Sequence, residues 1–228
     1  MKQRLSVTVP EPGHTEILIA TEEVQLQGLL RVPTEAAGIV LFVHGSGSSR
    51  WSVRNIHVAE RLYRAGCATL LFDLLTAEEE ERDALTAELR FDIALLSRRL
   101  IAVTRWTQAD QNLRQLPLAY FGASTGAAAA LVAAAGMHNI SAIVSRGGRP
   151  DLAGRALRDV LAPTLLIVGG NDPEVVALNR RALAQLQCEA RLVIVPGATH
   201  LFEEAGALEQ VASLAAAWFG EHFQATSH

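Results

Sequence analysis

Three residues stand where they can do chemistry together: Ser124 in Gly122-Ala123-Ser124-Thr125-Gly126, Asp172 in Gly169-Gly170-Asn171-Asp172-Pro173, and His200 in Gly197-Ala198-Thr199-His200-Leu201. A serine hydroxyl is almost un-ionised at neutral pH and attacks only with a base beside it. A neutral imidazole, with an unperturbed pKa of about 6.5, takes that proton and returns it to a leaving group. A carboxylate on the other ring nitrogen fixes the tautomer and stabilises the imidazolium. Serine, then acid, then histidine, each just after an apolar run, is one known chain order of a nucleophile-acid-base triad. Singly, each residue has a plainer reading: a Gly/Ser turn, a helix cap before Pro173, a loop histidine. The shared order and placement favour the triad.

Acyl chemistry also needs donors for a developing oxyanion. The run His44-Gly45-Ser46-Gly47 is a small-residue loop suited to that work. The expected donors are the N–H groups of Thr125 and Ser46, with Gly47 as the alternative to Ser46. Three charged residues are candidates for substrate contact. Arg146 can hold a carboxylate bidentately, its structural alternative being an ion pair with Asp151. Asp73 either lines the pocket or caps a turn. Arg54, with Arg50 and Trp51, follows the oxyanion loop. His14, His57, His138, His222 and His228 show no ligand spacing, so no metal is expected. Lys2 is the sole lysine, which sets Schiff-base chemistry aside; no cofactor is expected.

The elements that must position these groups read from hydrophobic pattern. Short apolar runs at Gly38–Gly45, Ala68–Asp73, Leu118–Gly122, Ala142–Ser145, Thr164–Gly170 and Arg191–Gly197 predict strands buried on both faces. Helical patterns at 53–65, 88–107, 125–135, 174–187 and 205–223 alternate with them. In the second, Leu89, Ile93, Leu96, Leu100 and Val103 recur at spacings of four and three, one apolar stripe. Segments Glu16–Ala20 and Val24–Val32 predict an N-terminal β-hairpin. The fold class is therefore α/β, a doubly wound, mostly parallel sheet in a single domain over 1–228, with ligands bound beyond the carboxyl ends of the strands. One stretch breaks composition: Thr76–Glu88, with Glu78–Glu81, reads as a solvated loop or a helix start with acids near an N-terminus.

Composition narrows the class further. The chain has 228 residues, half of them apolar, with 20 basic and 24 acidic groups and a net charge of −4. No basic block suggests nucleic acid. No apolar run approaches the roughly eighteen residues that span a bilayer, and the first twenty residues lack a signal-peptide core; a cytoplasmic protein is expected. Cys67 and Cys188 are far apart and lack metal or redox spacing, so they read as inert thiols.

His44-Gly45-Ser46-Gly47, Gly122-Ala123-Ser124-Thr125-Gly126, Asp172 and His200, spread over nearly the whole chain, resemble the α/β-hydrolase superfamily. The compact form is similar to dienelactone hydrolase-like proteins. Dienelactone hydrolases proper use a cysteine nucleophile, where this chain has Ser124. The resemblance implies a serine hydrolase of small carboxylic esters or lactones working through an acyl-enzyme. The alternatives are an acyltransferase or perhydrolase using the same triad, or a ligand receptor on a hydrolase scaffold. Only residues 147–163 separate two successive strands where many relatives insert a helical cap, so the fold is expected to be lidless, with an open cleft for a small-molecule substrate. A monomer or homodimer is expected.

Overall fold

A computed structural model describes residues 13–225; Lys2, His228 and the first twelve residues of the chain lie outside the described residues. Eight strands form one sheet in the order β1-β2-β4-β3-β5-β6-β7-β8. The hairpin β1 (Thr15–Ala20) and β2 (Gln25–Arg31) is antiparallel, and β2 joins β4 (Ala68–Phe72) antiparallel. From β4 onward the sheet is parallel through β3 (Ile39–Val43), β5 (Leu118–Ala123), β6 (Ile140–Arg146), β7 (Thr164–Gly169) and β8 (Ala190–Val195). Strands β3, β4, β5 and β7 are buried at every position, which is why they read as continuous apolar runs rather than alternations.

Helices cover both faces, so the sheet separates two cores. On one face α3 (Ile93–Ala109) and α4 (Thr125–Ala134) lay Leu96, Leu100, Val103, Ala130 and Leu131 against Leu41, Leu70 and Tyr120. On the other, α1 (Val53–Arg64) and α6 (Ala207–Ala225) lay Val58, Leu62, Val211 and Phe219 against Phe42, Phe121 and Val144. The order reverses at β3, whose neighbours are β4 and β5. That reversal opens a crevice past the carboxyl ends of β3 and β5, the place where this fold class binds ligands.

Of the two readings of the acidic stretch, the helix start with acids in its first turn is the one that forms. Ala77–Thr86 is a full helix, α2, closed by a capping box between Thr76 and Glu79. Glu78, Glu80 and Glu81 are exposed, while two other acids of the stretch are engaged by arginines. Glu79 pairs with Arg99 at 2.8 Å, and Asp83 pairs with Arg90 at 2.6 Å. Leu89, assigned above to the start of α3, lies instead in a 3-10 turn (Leu89–Phe91), and α3 begins after the N-cap Asp92. Between β6 and β7 the chain makes only short 3-10 turns, Pro150–Asp159, and no helical cap. Among the described residues no helix is long and apolar enough to cross a membrane.

Candidate active site

Strand β5 delivers Ser124 at its carboxyl end, with φ 51° and ψ −121°. A positive φ at a residue with a Cβ costs about 1–3 kcal/mol and is found where surrounding packing enforces it. The enforcement comes from the flanking glycines. A Cβ on Gly122 would lie 2.5 Å from the Ala127 Cα, and one on Gly126 would strike the carbonyl oxygens of Val43 and His44. Helix α4 therefore packs against β5 and the end of β3 with no room for a side chain. The turn is braced from β6 as well: the Ser124 N–H donates to the Arg146 carbonyl at 3.2 Å, and the Arg149 N–H donates to the Ser124 carbonyl at 3.1 Å.

Asp172 and His200 come together from the ends of β7 and β8. The His200 Nδ1–H donates to Asp172 Oδ2 at 2.8 Å, which sets the tautomer so that in the neutral ring Nε2 is the acceptor. The other carboxylate oxygen, Oδ1, accepts from the Val175 N–H at 3.4 Å and caps α5 (Pro173–Leu183). Asp172 thus meets His200 with one oxygen and caps a helix with the other. Ser124 and His200 line a single cavity of about 270 Å³ with Ser46, Ser48, Ser52, Arg54, Asn55, Arg146 and Leu201.

The oxyanion loop differs in detail from the expectation. The Ser46 N–H, expected as a free donor, is engaged by Thr125 Oγ1 at 2.8 Å. The Thr125 N–H stands in the first turn of α4, where no helical carbonyl lies upstream to accept it. His44 holds the loop from below: buried, with its pKa lowered by burial, it donates from Nδ1 to the Gly45 carbonyl at 2.9 Å and accepts the Leu74 N–H on Nε2 at 3.1 Å. Only the neutral ring can make both bonds.

Of the three charged candidates, Arg146 and Arg54 line the Ser124 cavity and Asp73 does not. Asp73 is 6% exposed and is bound by Arg50 through both the backbone N–H (2.7 Å) and the guanidinium, so it pins the loop after β3 rather than meeting substrate. The pairing of Arg146 with Asp151 does not form either, because Arg149 takes Asp151 bidentately at 2.9 and 2.8 Å. Arg146 instead donates from Nη2 to Asn55 Oδ1 at 3.2 Å, and its Nε has no partner. Burial, and then the nearby Arg54 cation, pull its pKa down to about 10. Asn55, 2% exposed on the first turn of α1, escaped the sequence reading; its spacing from the oxyanion loop was the available signal.

A second, larger cavity of about 700 Å³ lies across the same loop, walled by α2, Arg90, Trp51 and Leu96. Asp83 and Arg90 close it. Burial alone would raise the Asp83 carboxyl, but hydrogen bonds from Arg90 and Leu89, with the Arg90 charge, bring its pKa below the ordinary value.

Strand order, the strained serine between glycines and the Asp-His pair are those of the α/β-hydrolase fold. The sequence profile of the dienelactone hydrolase family matches residues 26–225, and the chain belongs to that family. A dienelactone hydrolase from Anabaena variabilis is 57% identical, with a TM-score of 0.91 over 92% of this chain and 98% of that one. Est1E from Butyrivibrio proteoclasticus shares the fold at 17% identity and a TM-score of 0.75, over 92% of this chain and 99% of its own. Two Mycobacterium tuberculosis proteins provisionally named phosphoribosyl transferases are 58% identical over 208 residues, 91% of this chain. The chain spans about half of their length, 46%.

Proposed function

We propose that the protein is a serine hydrolase of small carboxylic esters or lactones. The observation that carries this reading is that His200, bonded to Asp172 at 2.8 Å, lines the same small cavity as the elbow serine. Ser124 Oγ attacks the ester carbonyl while its proton passes to His200 Nε2. The resulting oxyanion meets the Thr125 N–H, and the Ser46 N–H once Thr125 Oγ1 releases it. The tetrahedral adduct expels the alkoxide, which takes the proton from His200, and leaves an acyl group on Ser124. Water, deprotonated by the same imidazole, then releases the acid and restores the serine. Asp172 keeps the histidine in register and stabilises its charged form.

A cavity of about 270 Å³ suits a small ester. Each methylene left outside it forgoes about 0.8 kcal/mol of burial, so kcat/KM for p-nitrophenyl esters should peak at short acyl chains, about C2 to C6. The name of the mycobacterial relatives does not transfer, because 46% of their length is matched and the name can rest on the remainder. The test is a fluorophosphonate label and the ester panel, run on wild type and Ser124→Ala. Wild type should label and turn over, and the variant should do neither while unfolding at the same temperature. Ester turnover retained in Ser124→Ala would end this reading, and labelling without turnover of any ester would favour a receptor.

A further inference from the structure

Arg146 is a buried cation with no carboxylate partner among the described residues. Its residue exposure is 7%, its Nε lacks a partner, and its one side-chain contact, Asn55 Oδ1, carries no charge. The charge that acts on it is another cation, Arg54. Arg54 in turn meets only Glu203, at 3.4 Å, with that carboxylate's side chain 66% exposed. Leaving a guanidinium buried without a counterion is costly, and folded chains pair such groups. The candidates for pairing are engaged elsewhere: Asp151 by Arg149, Asp73 by Arg50, Asp172 by His200.

Around these two cations the cavity offers donors. The first turn of α1 faces it through Ser52, Arg54 and Asn55. The Ser52 hydroxyl caps this turn by accepting the Asn55 N–H at 3.4 Å, the N–H groups of Val53 and Arg54 have no helical carbonyl upstream, and no acid occupies the turn. The hydroxyls of Ser48 and Ser52 line the same wall. Guanidinium, helix N-terminus and serine hydroxyls together make an anion site. Arg146 has no carboxylate and Arg54 shares an exposed one, Glu203, at 3.4 Å; a phosphate monoester, at about −1.5 to −2 at neutral pH, carries charge for both guanidinium groups when it displaces Glu203, which a single carboxylate does not.

We propose that Arg146 and Arg54, with the first turn of α1, form a phosphoryl subsite beside Ser124, so that the preferred substrate is a small carboxylic ester bearing a phosphate group. The proposal deepens the hydrolase reading and rests on it for its substrate. Catalysis occurs at the ester, and the phosphate is held without being transferred.

The test compares kcat/KM for three matched esters: 3-acetoxypropyl phosphate, 4-acetoxybutanoate and 3-acetoxypropan-1-ol. In wild type the phosphorylated ester should exceed the neutral one by about 100-fold or more and the carboxylate by about fivefold or more, as expected of bidentate guanidinium recognition. Arg146→Met should collapse the phosphate-to-neutral ratio by at least about 30-fold, and the more accessible Arg54→Gln by about 3- to 10-fold. Thermal unfolding accompanies each variant; Arg146→Met should be no less stable than wild type, since it removes an unpaired buried charge. Inorganic phosphate, titrated calorimetrically into wild type and Ser124→Ala, should bind both alike and bind Arg54→Gln more weakly. A wild-type ratio under about threefold, a carboxylate ester matching the phosphorylated one, or a ratio that survives in both arginine variants overturns the proposal. If no ester is turned over, the hydrolase reading fails by itself, and the phosphate titration then decides the subsite: binding lost in Arg54→Gln supports it, and absence of binding in wild type overturns it.

Discussion

The two cavities on either side of the Gly45–Ser52 loop treat their arginines in opposite ways. On the larger side Arg90 is clamped on Asp83, which also accepts the N–H groups of Leu89 and Arg90 at 2.7 and 3.1 Å. Behind that wall Arg50 is held by Asp73 and by Gln27 at 2.5 Å. On the smaller side Arg146 has an amide oxygen and a second arginine for neighbours. The paired arginines fix where the wall stands; the unpaired one leaves charge for something that arrives. Cavity size alone points to the larger space, which contains neither Ser124 nor His200.

The sharpest way to break this contrast is within the smaller cavity. Asp172→Asn preserves the shape of the acid but presents the wrong tautomer partner to His200, and kcat should fall by roughly 10⁴-fold, as in the worked serine-protease case. Steady-state and burst kinetics on a short p-nitrophenyl ester read this directly; a loss below about threefold would move the acid elsewhere. Next in size, Asn55→Asp would give Arg146 the carboxylate that Arg90 already has. The smaller cavity should then behave like the larger one, with the phosphate-to-neutral ester ratio dropping by about 30-fold, measured on the same three acetates.

On the larger side the effect is on stability. Asp83→Asn keeps some of the backbone bonds but loses the charge opposite Arg90, a cost of about 2 kcal/mol, or roughly 4–8 °C in Tm for a chain of this length. Because the folded pKa of Asp83 lies below its ordinary value, the stabilisation is complete above the ordinary aspartate range and is lost as pH falls through the folded value. Melting curves of wild type and variant should therefore be well separated at pH 7 and converge toward pH 3. Thr125→Val gives the smallest change. It removes the hydroxyl that engages the Ser46 N–H, a net bond of about 1 kcal/mol, and kcat should rise by up to about fivefold. A fall of tenfold would instead make the Thr125 hydroxyl a partner of the oxyanion.

Much of the site was legible because chain order and strand ends are properties of sequence. Ser124, Asp172 and His200 each follow an apolar run, and parallel strands bring such ends to one edge of the sheet. Partner choice was not legible. Asp151 lies five residues from Arg146 but two from Arg149, and the nearer arginine takes it; Asp73 answers to Arg50 across 23 residues of chain. The start of α2 was legible from its acids, but the pairing of Glu79 was not, because its arginine comes from a different helix. The engagement of the Ser46 N–H depends on a side-chain rotamer 79 residues away, which no local pattern encodes.

Helix α4 carries a consequence of its own. Nine of its ten residues are buried, and from Gly126 to Ala134 only Leu131 and Val132 extend beyond a methyl group. A helix of alanines has no rotamers to rearrange, so the platform behind Ser124 cannot be reshaped by repacking. Any enlargement there presses on β3 and β5 and displaces the serine itself. Divergence in what such a protein accepts must then come from the front, through the loops after β3, β4 and β6, while the rear of the site stays locked by the smallness of its residues.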